Sequence, residues 1–478
     1  MLSHHRLIGT LFIAVSTIII GVSVVSAQPG AYKAKQIDQT LEARAEAINR
    51  ALRSGNIDAD RQGIEAFFNN YYFPRWTDMK NEAKLYSYRN DLLKNDLGNA
   101  QGNAKTYLLG KAFSQLSLIA ADDTVFPAAR FNAMLTIGML NTREAGSGNT
   151  PPVPYPEALP YLLKEYEKQN LLPFLKVATL QGIVRHVQCG VAAEADRNAA
   201  TLLLRKIVKD GTPADGRSED EQELLDWHRD LAIQGLQAIR HVGNRAETVD
   251  LLLNVIESEK ESPALRFAAM RAMGDLDFAG AQTGGITVPT SQIVDGIVQL
   301  SRFACEDELK RINDLLLIDP SLGAAPTMGG MSGEFMSSDS GSGMPAIGAI
   351  AKIKASDAIQ ESMARTKSAF FSIRNAIQGK ASGFSSPDAT GIQPIVESDQ
   401  VLWRKLRNLS TELQNACNFF DQGPPAPKKP PVDMFSSSSG SDMMTAPPVD
   451  PNAPKVTLGM IQEKLQEVSL KINELMAN

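Results

Sequence analysis

The sequence has few histidines and cysteines, the residues that most often build metal and nucleophilic sites. Only five histidines occur in 478 residues, and two of them stand within the first five positions. The three cysteines, Cys189, Cys305 and Cys417, are far apart and odd in number, which argues against a disulfide framework. A single bridge among them is one alternative, but buried free thiols suit their helical surroundings better.

Catalytic sequence motifs are also missing. The chain has no G-x-S-x-G, no glycine-rich phosphate loop and no H-E-x-x-H. Serine and cysteine nucleophiles need a positioned histidine, and histidines are scarce. The sequence therefore predicts a protein that is not an enzyme and that uses no cofactor and no metal. A hydrolase whose two carboxylates meet only in the folded chain is the alternative.

A basic surplus is absent as well. The chain carries 48 lysines and arginines against 54 aspartates and glutamates, a formal charge of −6. Proteins that bind nucleic acids usually show a basic footprint. We therefore expect a protein partner and no nucleic acid.

The one long apolar run lies at the N-terminus. Residues 7–25 carry no charge, follow a short basic start and lead to small residues that end at Ala27. This pattern is typical of a secretory signal peptide over residues 1–27, and it predicts a periplasmic or extracellular protein. The run also approaches the ~20 residues that span a bilayer, so an uncleaved membrane anchor is the alternative.

Alternation of apolar and polar residues at period two is almost missing, and period 3.6 dominates, which predicts an all-α fold. Two stretches rich in glycine, serine or proline are interpreted as a disordered loop and a linker. The predicted parts are an N-terminal helical cap (28–121), a helix-repeat region (122–288), a bundle of long helices (289–422) with the disordered loop (321–345), the linker (423–454) and a C-terminal amphipathic helix (455–478).

Four segments in the middle of the chain align without gaps. They lie 37 to 53 residues apart and begin at Pro127, Pro173, Asp226 and Pro263. Each has a basic residue at its fourth position, a small residue three places later, a large apolar residue directly after it, and another three places further on. The basic residues are Arg130, Lys176, Arg229 and Arg266. Amphipathic stretches between the segments provide a second helix for each repeat.

This pattern resembles HEAT repeats, whose period is ~40–47 residues, and the resemblance covers roughly residues 122–306. It implies an armadillo-like α-solenoid, in which stacked helix pairs form an extended groove that holds partners. On this basis we expect Arg185, Arg240 and Arg271 to lie on an exposed helix face and to contact a partner. The alternative is that they are ordinary solvated charges.

From Pro289 onward the apolar residues follow a seven-residue repeat, as they do in long helices that pack side by side. Two series follow alternating steps of four and three, from Ile359 to Ile377 and from Leu402 to Phe420. The last helix has a similar seam, formed by Leu458, Ile461, Leu465, Val468, Ile472 and Leu475. Because an isolated helix of this length is marginal in water, the seam should pack on the bundle or pair with another copy of the chain.

The phrases around His186 and His241 share the letters Arg-His-Val and raise the question of a shared metal or acid–base site. They are two residues out of register with the repeat, which turns the rings toward opposite helix faces. We therefore interpret the two phrases as a chance echo at helix ends.

The segment from Glu65 to Asp78 concentrates aromatic residues. One interpretation is a platform that stacks on a sugar or a peptide; it would use Tyr71, Tyr72, Arg75 and Trp76. The alternative is that the rings pack a helix end, with Pro74 breaking the helix.

Together these patterns predict an exported, non-enzymatic scaffold that binds a protein or a cell-envelope component through its helix repeats. A self-associating envelope protein, assembled through its C-terminal helices, is the alternative.

Overall fold

The computed structural model describes residues 32–146, 150–191, 193–212, 216–319, 322, 355–379, 391–423 and 456–477. Within these ranges the protein is all-α, as predicted, and its two short strands, β1 (Asn141–Arg143) and β2 (Val153–Pro154), pair antiparallel. No helix in the described ranges is long and apolar enough to cross a membrane. The predicted signal peptide lies outside the described residues, as do all but one residue of the predicted loop and all but one of the linker.

The chain forms two compact units, one up to Val191 and one from Ala192 onward. The division falls within the region that resembles HEAT repeats, so the helices are described unit by unit.

Short helices and turns open the first unit. Its α-helices are α1 (Ala45–Ser54), α2 (Arg61–Phe67), α3 (Leu85–Asn90) and α4 (Leu97–Asn99). Two π-helical turns follow α2 and α3, at Phe68–Tyr72 and Asp91–Asp96. Tighter 3₁₀ turns occur at Gln39–Arg44, Asp58–Asp60, Pro74–Thr77 and Met79–Lys84. Pro74 begins one of these turns, because its ring cannot continue the preceding helix.

Four further helices complete the first unit as two pairs. α5 (Gly102–Ala121) packs on α6 (Pro127–Met139), and α7 (Ala158–Tyr166) packs on α8 (Pro173–Cys189). α6 and α8 also pack on each other, and they meet at two glycines: a Cβ on Gly138 would lie 2.6 Å from the Cα of Gly182. Side chains at this crossing would force the two helices apart.

The second unit has a similar arrangement of pairs. α9 (Glu194–Asp210) packs on α10 (Glu219–Ile239), and α11 (Glu247–Glu257) packs on α12 (Pro263–Asp275). α10 and α12 then pack on each other, as α6 and α8 do in the first unit. A short helix, α13 (Phe278–Thr283), follows.

The basic residue of the repeat has the same role in three of the four segments. Arg130, Arg229 and Arg266 each donate from Nε to a backbone carbonyl near the end of the preceding helix, on Ala120 (3.1 Å), Val208 (2.8 Å) and Ile256 (2.8 Å). The last carbonyls of a helix have no hydrogen-bond partner within that helix, and the helix dipole places partial negative charge on them. A guanidinium provides both a hydrogen-bond donor and a positive charge at this point. This shared contact explains why the alignment singles out this position.

The other aligned positions form the core. The small residues and both large apolar residues are buried in all four segments: Ala133, Met134 and Ile137; Thr179, Leu180 and Ile183; Ala232, Ile233 and Leu236; Ala269, Met270 and Met273. The equivalence of the four segments therefore holds at the level of burial and helix pairing within each unit. A continuous solenoid over residues 122–306 stays a prediction.

Four long helices close the second unit as a bundle. α14 (Thr290–Ile318), α15 (Ala355–Gln378), α17 (Gln400–Gln422) and α18 (Leu458–Ala477) each pack on two neighbours in a ring, and the four-residue α16 (Gln393–Val396) packs beside α17. The spacing of four and three is borne out, because most of the apolar residues of both series are buried. α15 also packs on α12, and α14 packs on α11. The bundle pair α14–α15 therefore packs on the repeat pair α11–α12, as one repeat pair packs on the next.

The seam of α18 faces the bundle. Leu458, Ile461, Leu465, Val468 and Ile472 are fully buried, while Leu475 is half-buried. α14 and α17 cover the seam, and Lys471 donates to Glu412 of α17 at 2.9 Å. Of the two alternatives for this helix, the described structure has the intramolecular one.

Candidate functional site

The two histidines of the shared phrase have separate surroundings. His186 is buried in α8, and its Nε2 has no hydrogen-bond partner among the described residues. His241 is exposed beyond the end of α10, where its Nδ1 accepts from the Gly243 amide at 3.2 Å. No group of three or more metal-ligating side chains occurs in the described ranges.

His186 should make folding stability depend on pH. Burial lowers its pKa from 6.5 to about 3, and the neighbouring Arg185 adds to the shift. Between these values the unfolded chain binds a proton that the folded chain refuses, so stability is complete above pH 6.5 and falls as the pH drops toward 3. We expect His186→Gln to reduce the loss of unfolding free energy between pH 7.5 and 5 by on the order of 1–2 kcal/mol in urea titrations.

The exposed His241 provides the matched control. His241→Gln should leave the pH dependence unchanged, because this ring is exposed in the folded chain. Equal pH slopes for the wild type and His186→Gln would contradict the burial argument.

The aromatic segment does not form a platform. Tyr71, Tyr72 and Trp76 are 4%, 7% and 0% exposed, so their faces are not available for a ligand to stack on. Phe67, Phe68 and Phe73 pack against Tyr71 and Tyr72 with ring centroids 5.1–5.9 Å apart. The prediction of a stacking site is therefore wrong for these three residues, and the alternative of core packing describes them.

Arg75 is the half-exposed member of this cluster. Its guanidinium lies over the rings of Tyr71, Tyr72 and Tyr88, at 4.7, 4.9 and 4.7 Å from their centroids. Below it, the Tyr72 hydroxyl donates to Asp96 at 2.5 Å and joins the ends of the two π-helical turns. Burial raises the pKa of Asp96 to about 6. These contacts give Arg75 a structural role at the cluster edge.

Two of the three predicted partner-binding arginines tie helices together. Arg185 donates to the Gly138 carbonyl at 2.9 Å and to Asn141 Oδ1 at 2.6 Å, so α8 holds the end of α6. Arg240 ends α10 with φ of 62° and donates from Nε to the Asp275 carbonyl at 2.7 Å. Both side chains are half-buried, which is a correction to the exposed positions expected from the sequence.

Arg271 is also half-buried and keeps its place as a candidate. Its positive charge, together with a hydrogen bond from Gln234, opposes the rise that burial causes in the pKa of Asp230. Apart from the bond that its backbone carbonyl accepts from Asn375 Nδ2 at 2.8 Å, the described contacts assign it no further partner.

A groove of about 500 Å³ between α5 and α7 combines aromatic rings, carboxylates and hydroxyls. Three aromatic rings form one part of its wall: the Phe113 centroid lies 5.5 Å from that of Tyr155 and 5.4 Å from that of Tyr161. Glu157 and Glu165 contribute carboxylates, and Ser114 and Ser117 contribute hydroxyls.

Helical spacing places these groups together. Phe113 and Ser117 are four residues apart on α5, as Tyr161 and Glu165 are on α7, so each pair lies on one helix face. The small residues Gly110, Ser114 and Ala121 on the same face of α5 leave the space that forms the groove. Tyr155 is fixed just before α7, where its amide donates to the Leu140 carbonyl at 2.9 Å.

Two hydroxyls in the groove have no partner except each other. Tyr161 Oη and Ser117 Oγ are buried, and no other described residue bonds to them. Burial raises the pKa of Tyr161 to about 12, Glu165 adds to the rise and the hydrogen bond with Ser117 opposes it, so the phenol remains protonated at physiological pH. Buried polar groups with unused hydrogen-bonding capacity are stabilised by a ligand that supplies a donor or an acceptor.

Comparison with known proteins adds no relative. The chain matches no protein-family model, no curated protein and no solved structure. The HEAT-like relationship therefore depends on the residues themselves.

Sequence reasoning missed the groove. Its residues come from two stretches, 110–121 and 155–165, that are separated by more than 30 positions, so no local motif contains them. The available signal was the stretch from Tyr155 to Glu165, where tyrosines and glutamates share one face of a predicted repeat helix.

Proposed function

We propose that this protein is an exported, non-enzymatic scaffold, and that it binds another protein in the groove between α5 and α7. The observation that carries the proposal is the groove itself: about 500 Å³, walled by three aromatic rings and containing two buried hydroxyls with no partner except each other. Aromatic walls with a few convergent polar groups are typical of ligand sites. The uncharged, apolar run of residues 7–25 supports the export of the chain.

A binding role suits the groove better than hydrolysis. Glu165 is buried and pairs with Lys168, with the two charged atoms 2.6 Å apart, so it is committed as an ion-pair partner. A hydrolytic carboxylate pair needs both groups free to exchange protons or to attack. Glu157, the other carboxylate of the groove, makes no ion pair in the described ranges, and it interacts with the hydroxyl of Tyr155.

Self-association through the C-terminal helix is a weaker alternative. The apolar seam of α18 is already covered by α14 and α17, so pairing between copies would require the helix to leave its own bundle.

Site-specific photo-crosslinking in the native cell tests the proposal. Leu118 lies at the groove rim with 54% of its surface exposed, and Leu202 on α9 is 66% exposed and outside the groove. We expect a photoreactive residue at position 118, but not at position 202, to form a discrete adduct with another protein. Tyr161→Ala, which opens the groove wall, should abolish that adduct.

Mass spectrometry of the crosslinked protein also checks whether the chain is exported. Under the proposal the chain begins at Gln28, because the signal peptide is removed after Ala27. Adducts of equal yield at both positions, or adducts that survive Tyr161→Ala, would contradict the groove as the binding surface.

A further inference from the structure

We infer that the groove between α5 and α7 receives a lysine or arginine side chain of the bound protein, an inference that rests on the proposed function. Three independent features of the groove agree on a cationic group: its charges, its rings and its buried hydroxyls.

The charges of the groove are of one sign. Glu157 and Glu165 belong to its lining, and no lysine, arginine or histidine does. Lys168 pairs with Glu165 from outside the lining and neutralises that carboxylate. Glu157 is exposed and makes no ion pair in the described ranges, so its charge is available to an incoming cation. A positive side chain would complete this pair, whereas a carboxylate would be repelled.

The rings offer a surface that attracts cations. Phe113, Tyr155 and Tyr161 are half-buried, and all three line the groove. The face of an aromatic ring carries negative charge density, so an ammonium or guanidinium within about 6 Å of the ring centre is attracted to it. The same rings contact the apolar stem of a lysine or arginine, which is buried while its head stays charged.

The hydroxyls complete the set. Tyr161 Oη and Ser117 Oγ are buried with no partner except each other, and each can still accept a hydrogen bond from an N–H group. An ammonium has three such donors and a guanidinium has five. A neutral apolar side chain in the same place would offer the two hydroxyls no donor.

A titration of the purified mature protein with blocked tri-lysine peptide tests the inference. The comparison probes are the tri-norleucine peptide, which has an apolar side chain without the charge, and tri-glutamate. We expect saturable binding of tri-lysine by calorimetry, no binding of tri-glutamate, and at least a tenfold weaker affinity for tri-norleucine.

Groove variants locate the binding. Glu157→Gln and Tyr161→Phe should each weaken tri-lysine binding about tenfold, because each removes one polar contact to the cation. The matched controls are Glu46→Gln, which removes an equal charge from an exposed residue of α1, and Tyr86→Phe, which removes an exposed phenol. Both controls should bind like the wild type, and circular dichroism should show unchanged folding for all four variants.

The outcomes separate the two proposals. Equal binding of tri-norleucine, or equal weakening by Glu46→Gln, overturns the cationic ligand, because binding would then be apolar or would follow net charge alone. If tri-lysine fails to bind while the adduct at position 118 persists, the groove still binds a protein but not through a basic side chain. If tri-lysine binds and no adduct forms, the site accepts cations but the proposed protein partner is wrong.

Discussion

Replacing Glu261 with alanine should destabilise the second unit by about 3–5 kcal/mol, the range for removing one partner of a buried ion pair. Arg229 is 1% exposed and the Glu261 side chain 2% exposed. The pair is bidentate: Arg229 Nη2 donates to Glu261 Oε1 at 2.7 Å, and Nη1 donates to Oε2. Without the carboxylate, the guanidinium keeps only its Nε bond to Val208 and a longer contact with Asp226 at 3.5 Å.

The Arg229 side chain is tightly packed at the end of α9. A Cβ on Gly211 would lie 2.5 Å from Arg229 Cδ, so only a glycine at that position leaves room for the side chain. The cost of an unpaired buried charge should therefore appear as lost stability, measured from the urea midpoint and slope.

Two matched variants check the cause. Glu247→Ala removes a carboxylate whose contact with Arg205 is 3.7 Å and whose side chain is 47% exposed, and it should cost under about 1 kcal/mol. The double variant Arg229→Met with Glu261→Leu removes both charges and should recover most of the loss. A single Glu261→Ala variant as stable as Glu247→Ala would show that the pair is not buried in solution.

The repeat arginine also shows which features of the fold could be predicted from the sequence. Its recurrence every 37 to 53 residues predicted equivalent places in paired helices, and three arginines do bond the preceding helix end. Helix type and buried faces were predictable for the same reason, since both follow from local spacing. The ion pair between Arg229 and Glu261 could not be predicted, because the two residues are 32 positions apart and no local pattern connects them.

The prediction of a stacking platform in the aromatic segment was wrong for a related reason. Six rings within ten residues spread over about two thirds of the circumference of a helix, so the sequence does not indicate which faces neighbouring elements will cover. The π-helical turn at Phe68–Tyr72 and the partner turn at Asp91–Asp96 place Tyr72 inside, where it reaches Asp96. The groove was missed because it exists only between α5 and α7, whose residues are far apart in the chain.

Replacing Gly274 with valine should be the most disruptive single change at a helix crossing. A Cβ at this position would lie 2.1 Å from the Asn375 carbonyl oxygen and 2.6 Å from the Ala376 nitrogen, both backbone atoms that no side-chain rotation can move. α12 and α15 would have to separate, with loss of the bonds from Asn375 Nδ2 to the Arg271 carbonyl (2.8 Å) and to Asp275 Oδ1 (3.2 Å). We expect Gly274→Ala to cost about 1–3 kcal/mol and Gly274→Val more, by urea titration.

Gly110 provides the control with the opposite sign. It lies within α5, and a Cβ there would meet nothing within 4 Å. Gly110→Ala should therefore stabilise the protein by about 0.5–1 kcal/mol, because alanine loses less backbone entropy than glycine in a helix. If both substitutions stabilise equally, α12 and α15 do not touch at Gly274.

The same substitution at Gly138 extends the test to the repeat itself. Gly138 and Gly274 are the twelfth residues of the segments that begin at Pro127 and Pro263, and each is a close approach to the next packed helix, α8 in the first unit and α15 in the second. If the two segments are equivalent, Gly138→Ala should also destabilise by about 1–3 kcal/mol. A large loss at Gly274 with none at Gly138 would instead make the α12–α15 crossing a feature of the bundle, and the segments would share their helix pairing without sharing their stacking.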